Sequence, residues 1–517
     1  MDDGTLGQRA QAARQAISLL EAIVADFHPE FGGGEISASA YDTAWAAMVR
    51  DPHDPHRLAF PLSFAWLIRH QAPDGSYSGP FPQTIVPTLA ALLALKRAPE
   101  QGERICGAAA KAEAYLQAAL PRWDVKNHES VGFEVIVPGL LQQLEALGTT
   151  LSFPAKGPLL ALFEEKLRII DAERLYRTPS SMAFSLEAIG SRLNWTRLGP
   201  QRHPNGHYGC SASSTAGALV FGPWDVAAAR WLGHLYERGF GGEQGAMPDF
   251  FAIDVFELSW AVYNLSHGGF DMRRDCPPVL FEAIVKRLGA SLQEHGTGAT
   301  RFSGLPPDAD DTGMVIAALN LCGVQAPVEP LLRFERDGCF TCYEGERNPS
   351  SSATAHALAG LLSYPEATRR RFGPMIERTT RFLLDVRHPD GYWMDKWHSS
   401  PYYATACCAQ VLAEAAGFMA VQPSVHWVQA TRQADGGWGA GGRSTLEETA
   451  YAALTLRASV PMRERTESVT GVLAGYLSRQ RSIGHDVRST KLWTGKEPYA
   501  VARIDSSYVL GATIGGA

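Results

Sequence analysis

The sequence is short of charged residues, of cysteine and of positive charge, and each shortage excludes a class of protein. Only 20% of the residues are charged and the formal net charge is −7, which argues against a nucleic-acid-binding protein because such proteins present a basic surface. No apolar run approaches the roughly 18 to 20 residues that cross a bilayer, so we expect no stable membrane insertion. The N-terminus lacks the basic and then apolar layout of a signal peptide, which predicts a cytoplasmic location.

The 8 cysteines form neither a disulfide framework nor a zinc site. Cys339 and Cys342 make a lone Cys-x-x-Cys pair, and no second pair of Cys or His stands at the spacing of a zinc site. We therefore expect ordinary reduced thiols.

Apolar and aromatic residues, in contrast, are plentiful. Hydrophobic residues make up 45% of the chain, with 12 Trp, 16 Tyr and 22 Phe, which is enough for a large core and an aromatic-lined cavity. The length of 517 residues exceeds the usual size of one domain, so two or three domains are expected.

One acidic stretch stands out. Asp308, Asp310 and Asp311 precede Thr312 and an apolar run at 314–319. Carboxylates this close raise each other's pKa, so a partly buried cluster can keep one Asp protonated at neutral pH. A neutral carboxylic acid that faces an apolar cavity is a proton donor strong enough for an alkene. The alternative, a solvated loop or a divalent-metal site, is disfavoured by the rigid Pro306–Pro307 approach and by the apolar run.

A short unit recurs along the chain and predicts the architecture. Each copy has a helix, an Asp-Gly or Asn-Gly turn with an aromatic residue, and Ser or Thr opening the next helix; the copies lie at 71–77, 204–209, 388–393 and 433–439. Such pairs form tight turns, and Ser or Thr suits a helix N-cap. Ile17, Leu20 and Val24 have helical spacing, whereas strand-like alternation is scarce. We predict an all-α protein whose helical hairpins close into two α/α barrels.

The chain resembles the class II terpene cyclases, and more narrowly the diterpene cyclases of copalyl-diphosphate-synthase type. Four stretches carry the resemblance and occur in the same order as in the family: 39–45, 131–138, 308–312 and 492–499. The resemblance runs from about residue 35 to 505 and suggests a bacterial member. It implies two helical barrels with the active site between them: a γ barrel at 51–264, inserted into a β barrel built from 1–50 and 265–517. The sequence has no Asp-Asp-x-x-Asp motif at a plausible position, so we expect the product to keep its diphosphate.

The resemblance also implies an acid. Asp310 would protonate the terminal alkene of a linear prenyl diphosphate, while Asp308 and Asp311 tune it and help to reprotonate it, as neighbouring carboxylates do elsewhere. Asn348 stands where the family has an Asn that hydrogen-bonds the acid; the alternative is a turn residue before Pro349.

The base that removes the final proton is not identified by the matched motifs. Plant relatives that make the ent isomer use a His from a Leu-His-Ser motif and an Asn from a Pro-Asn-Val motif as the base, and these positions here hold Phe184 and Asp249. Because Phe cannot accept a proton, a longer-lived cation could rearrange toward a halimadane or clerodane skeleton. Alternatively Asp249 is the base and the bicycle is unrearranged. We lean toward a role for Asp249.

Aromatic faces stabilise carbocations by roughly 1–2 kcal/mol each when desolvated. Candidates for the cavity wall, besides Phe184, are Trp260, Tyr402, Tyr403 and Trp438, each of which has core packing as the alternative.

Diphosphate binding requires cations and usually Mg²⁺. Lys496 lies in the matched stretch 492–499, and Arg503 follows it. The family's acidic, Mg²⁺-associated motif is degraded here, which leaves Asp124 and Glu129 as candidate metal ligands.

Several alternatives stay open. The substrate is a C20 or a C15 prenyl diphosphate, which would give a labdane-related or a drimane-type diphosphate, and a downstream class I terpene synthase or phosphatase is the expected partner. A squalene–hopene-type cyclase, a non-catalytic α/α-barrel binding module and a zinc-dependent prenyltransferase subunit fit the motifs less well. Stereochemistry and oligomeric state are not determined by the sequence.

Overall fold

The computed structural model describes residues 3–99, 102–128, 130–346, 348–459 and 490–514. The α-helices are α1 Asp3–Ala25, α2 Ala40–Ala46, α3 Pro61–His70, α4 Ile85–Lys96, α5 Glu103–Ala119, α6 Phe133–Ala146, α7 Lys156–Ile169, α8 Ala172–Leu175, α9 Ala212–Phe221, α10 Val226–Arg238, α11 Asp254–His267, α12 Met272–Asp275, α13 Pro278–Ser291, α14 Ala309–Leu321, α15 Glu329–Leu332, α16 Ser351–Leu362, α17 Glu366–Arg369, α18 Gly373–Asp385, α19 Pro401–Ala415, α20 Gln422–Ala430, α21 Leu446–Ala458 and α22 Ala502–Ile514.

The described strands are only two residues long and form three antiparallel pairs. They are β1 Ala38–Ser39 with β2 Met247–Pro248, β3 Glu335–Arg336 with β4 Cys339–Phe340, and β5 Trp493–Thr494 with β6 Pro498–Tyr499. In the described ranges, no helix is long and apolar enough to cross a membrane.

The C-terminal half contains a closed ring of helices. Going round the ring, α11 contacts α14, and α16, α19, α21 and α22 follow in order, with α22 returning to α11. An outer layer covers the ring: α13 packs on α11 and α14, α18 on α16 and α19, and α20 on α21. A ring of inner helices inside a second layer is an α/α barrel.

A second ring lies in the N-terminal half. It consists of α2, α4, α6, the 3₁₀ segment Ser181–Ala188 and α9, which returns to α2. Outer helices α3, α5, α7 and α10 pack on it. The predicted all-α, double-barrel architecture is confirmed.

The barrel boundaries differ from those predicted at residues 50 and 264. All seven residues of α2 are buried, because α2 packs between α4 and α9 in the first ring rather than with the second barrel. Likewise α11 closes the second ring, so that barrel begins before residue 264. The N-terminal contribution to the second barrel is α1, which packs on α11, α13 and α22.

The repeated turns join the helices in one consistent way. In each copy the backbone N–H of the aromatic residue donates to a threonine Oγ1 on the next inner helix: Tyr77 to Thr88 at 3.0 Å, Tyr208 to Thr215 at 3.0 Å, Trp393 to Thr405 at 3.1 Å and Trp438 to Thr449 at 3.1 Å. The turn glycine has a positive φ in every copy, for example 93° at Gly75 and 106° at Gly206, a conformation that glycine adopts without strain.

The acidic motif occupies the same position in another copy of this unit. Ser or Thr caps several other inner helices, as at Ser211, Ser350 and Thr445, whereas Asp308 caps α14 by accepting from the Asp311 N–H at 2.8 Å. Thr312 anchors the preceding turn, since its Oγ1 accepts from the Thr297 N–H at 3.0 Å. The repeat therefore fixes three carboxyl groups at the N-terminal end of an inner helix.

Thr449→Val tests the energetic importance of the turn anchor. The variant leaves the buried Trp438 N–H without an acceptor, which costs about 1–3 kcal/mol, so thermal unfolding followed by circular dichroism should begin at a lower temperature. Thr513→Val is the control, because Thr513 Oγ1 donates only to the Val509 carbonyl of its own helix. Equal melting temperatures for the two variants would contradict this account of the turns.

Candidate active site

A cavity of about 550 Å³ lies between the two barrels, at the N-terminal end of the inner helices of the second barrel. Residues from both barrels line it. The first barrel and the segment that follows it contribute Val131, Gly132, Glu134, Val135, Lys166, Ile170, Ser181, Met182, Phe184, Ser185, Cys210, Asp249, Phe250 and Ala252; the second contributes Phe256, Ala299, Ser303, Leu305, Asp308, Asp310, Asp311, Cys342, Tyr343, Glu346, Trp397, Trp493, Thr494, Gly495 and Tyr499.

The three carboxyl groups of the acidic motif meet at one end of this cavity. Burial raises the pKa of Asp308 to about 7, with the Asp310 charge adding to the effect and the Asp311 N–H opposing it. Burial also raises the pKa of Asp311 well above its usual range, together with the charges of Asp308 and Asp310. Burial first, and then the mutual repulsion of the charges, therefore favours the protonated form of these carboxyl groups.

His356, on α16, is the partner of Asp310. Its Nδ1 lies 2.5 Å from Asp310 Oδ1. Burial alone would lower the pKa of His356, but the Asp310 carboxylate and the Cys407 thiol, which also hydrogen-bonds the imidazole, together raise it to about 10. The ring is held by an edge contact with Trp260 at 4.9 Å between centroids. A protonated imidazole on one oxygen of Asp310 makes a proton on the other oxygen more acidic.

Asn348 does not take the position that the sequence comparison implied. Its side chain is exposed, and its backbone carbonyl accepts from Lys396 Nζ at 2.6 Å. The reason is that Asn348 lies in the loop before α16, whereas His356 lies inside α16, which packs directly on α14. The available signal for His356 was a single imidazole in the small, apolar helix 353–358.

Asp249 and Phe184, the two residues at the family's base positions, both line the cavity. Asp249 is fully buried; its Oδ2 accepts from the Lys496 N–H at 3.1 Å, and its Oδ1 has no hydrogen-bond partner among the described residues. Burial raises the pKa of Asp249 well above its usual range, and the Asp42 charge adds to the effect. One carboxyl oxygen is thus free for a proton.

The four other aromatic residues named from the sequence do not line the cavity. Trp260 lies behind His356, and Tyr403 is enclosed by His398, Tyr451 and Trp493. Tyr402 packs on Trp427, and Trp438 donates to the Val428 carbonyl inside its own repeat. The aromatic wall consists instead of Phe184, Phe250, Phe256, Tyr343, Trp397, Trp493 and Tyr499.

Neither of the predicted diphosphate ligands reaches the cavity. Lys496 is fully buried, and its Nζ lies 3.0 Å from Glu187 Oε1. Arg503 pairs with Asp26 at 2.8 Å and with Glu257 at 3.1 Å. Both cations form ion pairs with carboxylates inside the protein. A motif match does not reveal such pairing.

Lys166 is the single Lys or Arg among the lining residues of the described chain. Its Nζ lies 3.5 Å from Glu134 Oε1, and both side chains are partly exposed. This pair is contributed by the first barrel, whereas the acidic motif belongs to the second. Lys166 therefore replaces Lys496 and Arg503 as the candidate cation for a diphosphate.

The predicted metal ligands fit poorly. Asp124 is exposed and caps a short 3₁₀ turn, accepting from the Lys126 N–H at 3.2 Å and from Asn127 Nδ2 at 2.7 Å, while Glu129 lies outside the described residues. Within the described part of the chain, no three His, Cys, Asp or Glu side chains are grouped to hold a metal ion. Glu134 is the carboxylate beside Lys166, and one carboxylate with substrate phosphates is a usual environment for Mg²⁺.

Comparisons with known proteins agree with this geometry. The family described as squalene-hopene cyclase C-terminal domain matches residues 346–485. The ent-copalyl diphosphate synthase of Streptomyces sp. (strain KO-3988) is 31% identical over 92% of this chain and 92% of its own length. The copalyl diphosphate synthase of Streptomyces anulatus is 30% identical over 93% of this chain and 88% of its own length.

Comparison with solved structures also finds a copalyl diphosphate synthase. The ent-copalyl diphosphate synthase from Streptomyces platensis superposes with a TM-score of 0.78 at 30% identity and covers 98% of this chain and 99% of its own. The chain spans about half the length of the matched fungal relatives, such as 53% of the phyllocladan-16-alpha-ol synthase of Phomopsis amygdali. The chain belongs to the class II diterpene cyclases, and it is an enzyme of that class.

His356→Phe tests the hydrogen bond to the acid. The variant keeps a ring against Trp260 but removes the donor to Asp310, so turnover should fall about 100-fold or more, the scale of general acid–base catalysis. Asn348→Ala is the control and should stay within about twofold of the unchanged enzyme. The reverse ranking of the two variants in a cyclisation assay would show that Asn348 is the partner of the acid.

Proposed function

We propose that this enzyme cyclises the C20 substrate geranylgeranyl diphosphate by protonating its terminal alkene, and releases a copalyl-type bicyclic diphosphate. The observation that carries the proposal is the cavity, whose lining includes Asp310, an aromatic wall and the Lys166–Glu134 pair, with His356 hydrogen-bonded to Asp310. The names of the bacterial relatives, copalyl and ent-copalyl diphosphate synthases, support the same reaction.

The acid step uses the proton on the Asp310 oxygen that does not bond His356. As this proton moves to the alkene, the carboxylate that forms is stabilised by the His356 imidazolium, so the interaction strengthens in the transition state. Asp308 and Asp311, whose pKa values are raised, hold the proton that restores Asp310 for the next turnover.

The carbocation then lies against the aromatic wall. Faces of desolvated aromatic rings attract a cation by roughly 1–2 kcal/mol each without presenting an oxygen lone pair to it. Trp493 and Tyr499, stacked at 6.2 Å across the β5–β6 pair, and Phe250, edge-on to Tyr499 at 5.3 Å, form one contiguous part of this wall.

Asp249 is the residue that ends the reaction by removing a proton from the carbocation. When the Asp249 carboxyl group is ionised, its unpaired Oδ1 is the acceptor that Phe184 cannot supply, and transfer of a proton to it leaves an unrearranged bicycle with a new alkene. When Asp249 does not accept the proton, hydride and methyl shifts lead to halimadane- or clerodane-type skeletons.

Lys166 is the ligand we propose for the diphosphate, and Glu134 for Mg²⁺ bound with it. The ion would neutralise diphosphate charge and help to fix the substrate's position. Because the product keeps its diphosphate, the next enzyme must be a phosphatase or a class I terpene synthase, which breaks that bond.

The deciding experiment is incubation with C20 and C15 prenyl diphosphates and Mg²⁺, followed by enzymatic dephosphorylation and NMR of the alcohol. We expect a bicyclic C20 alcohol, and Asp310→Asn should abolish it while leaving the circular dichroism unchanged. A drimane-type C15 alcohol as the dominant product would show that the substrate is the C15 and not the C20 prenyl diphosphate. The absence of a cyclised product from both substrates would overturn the proposal. Near-normal turnover by Asp310→Asn would overturn it as well.

The acidic cluster also predicts a pH dependence. Asp308 has a raised pKa of about 7, so it is protonated below that pH and ionised above it, and the store of protons for Asp310 is lost as pH rises through 7. Turnover should fall across this range. Asp308→Asn can still cap α14, and in this variant turnover should no longer fall as the pH rises through 7. If turnover falls over the same pH range in the variant and in the unchanged enzyme, the fall is due to the titration of another group.

A further inference from the structure

The loop that leads into the acidic motif is fastened on two sides. Residues 297–305 connect α13 to α14, and part of this loop, including Ser303, lines the cavity. On the side of the second barrel, the Ala299 carbonyl accepts from two N–H groups at the start of α11, at 3.0 and 3.1 Å. Thr300 Oγ1 donates to Asp254 Oδ1 at 2.7 Å. The first half of the loop is therefore fixed to its own barrel.

The second half of the loop is held by the first barrel. Cys210 Sγ donates to the Ser303 carbonyl at 2.8 Å, and His207 Nε2 donates to the Phe302 carbonyl at 2.7 Å. The ring proton of His207 lies on Nε2, because Nδ1 accepts from the Cys210 N–H at 3.2 Å. Burial lowers the pKa of His207 to about 3 and raises the pKa of the Cys210 thiol, so both groups are neutral donors. Two donors of one barrel thus hold two consecutive carbonyls of the other.

A displacement of this loop would reach the acid. The Asp308 N–H donates to the Thr297 carbonyl at 3.0 Å. A Cβ placed on Gly298 would lie 3.4 Å from Ser303 Oγ and 3.6 Å from Asp308 Oδ2, so both side chains lie against Gly298. Asp308 caps α14, whose first turn contains Asp310. The thiol contact therefore acts on a residue that packs close to the cap of the acid's helix.

Cys210 also holds another wall of the cavity. Its carbonyl accepts from the Phe251 N–H at 2.8 Å, and Ser211 forms a β-bridge with Phe250. Asp249 and Phe250, from this same segment, line the cavity, and so does Cys210 itself. The main chain of Cys210 thus holds the segment with the proposed base, whereas its thiol holds the loop before the acid.

The backbone of Cys210 is unusual for a residue with a side chain. Its φ is 57°, in the left-handed region that glycine adopts without strain and other residues seldom adopt. Gly209 precedes it with a φ of 54°, and a Cβ there would lie 2.6 Å from the Phe184 backbone nitrogen. Glycine at position 210 would allow the same turn and the same main-chain hydrogen bonds. What the cysteine side chain adds is the contact with the loop.

We propose that Cys210 and His207 are positioning residues for the cyclisation: by fastening residues 302–305 to the first barrel, they set the separation between Asp310 and Asp249. The inference rests on the proposed function. The substrate must reach both barrels, because the acid lies in the second, whereas the candidate diphosphate ligand and the proposed base lie in the first barrel and the segment that follows it. The alkene and the C–H bond that breaks last are therefore well placed only at one spacing of the two barrels.

Cys210→Ala tests the thiol contact. The variant leaves the Ser303 carbonyl without this donor, and the resulting misplacement of the alkene should lower kcat about tenfold or more. KM should change less than about twofold, because Lys166 and Glu134 are untouched. The share of rearranged or isomeric diphosphates, measured by NMR after dephosphorylation, should rise about threefold or more. Cys210→Ser keeps a donor for the same carbonyl and should retain at least about half of kcat.

Two further variants separate positioning from stability. Cys210→Gly removes the thiol and the unfavourable φ together, so it should unfold at no lower temperature than Cys210→Ala, yet its kcat should be equally low. His207→Phe removes the second donor and keeps a ring against Trp231; it should change kcat and the product ratio in the same direction as Cys210→Ala. A role in stability alone would make kcat follow the melting temperature instead.

Cys276→Ala is the matched control. Cys276 is as buried as Cys210, at 4% against 3% exposure, but it precedes α13 and is not among the described residues that line the cavity. Its kcat and product ratio should stay within about twofold of the unchanged enzyme.

Unchanged kcat and product ratio in both Cys210→Ala and His207→Phe would overturn the inference. A loss in Cys210→Ser as large as in Cys210→Ala would overturn it too, since the donor would then be irrelevant. If Cys210→Ala does not fold, the contrast between the Ser and Gly variants makes the same test. Absence of any cyclised diphosphate from the unchanged enzyme would instead refute the proposed function.

Discussion

The contact between Asp310 and His356 is the interaction on which the proposed chemistry of this protein depends. A carboxylic acid in water is far too weak to protonate an alkene at a useful rate. Here the Asp310 carboxylate that proton transfer produces accepts a 2.5 Å hydrogen bond from His356. Beside that carboxylate the pKa of His356 is raised to about 10, so the negative charge that forms has a positive counter-charge in contact with it. Preorganised charge of this kind needs no rearrangement of solvent during the reaction.

The repeat explains how a site of this kind can be built without a special fold. Several inner helices begin with a capping side chain, and in six described cases a threonine accepts the N–H of the preceding turn. Where other copies have serine at the cap, α14 has Asp308. The substitution keeps the cap and adds a titratable group at a buried helix end, with Asp310 and Asp311 in the same first turn.

The sequence predicted local features and missed the ones that depend on packing. The acidic motif consists of Asp308, Asp310 and Asp311, which are close together in the chain. Each repeated turn likewise consists of consecutive residues. The acidic motif and the turns could therefore be identified from the sequence. His356 lies in another helix from Asp310, and only the contact between α14 and α16 brings them together. The chain has 12 Trp and 16 Tyr, and residue type does not distinguish a cavity wall from a core. Lys496 was misassigned because a motif match locates a residue in the sequence but does not tell whether a buried carboxylate neutralises it.

The most direct test of the central claim is a reaction with the C20 prenyl diphosphate in D₂O, with the position of deuterium read by NMR. If Asp310 donates a solvent-derived proton to the terminal alkene, the product carries one deuterium on the ring carbon next to the carbon that bears two methyl groups, and it keeps its diphosphate. A cyclised product without deuterium at that carbon, or one formed with loss of the diphosphate, would contradict the account.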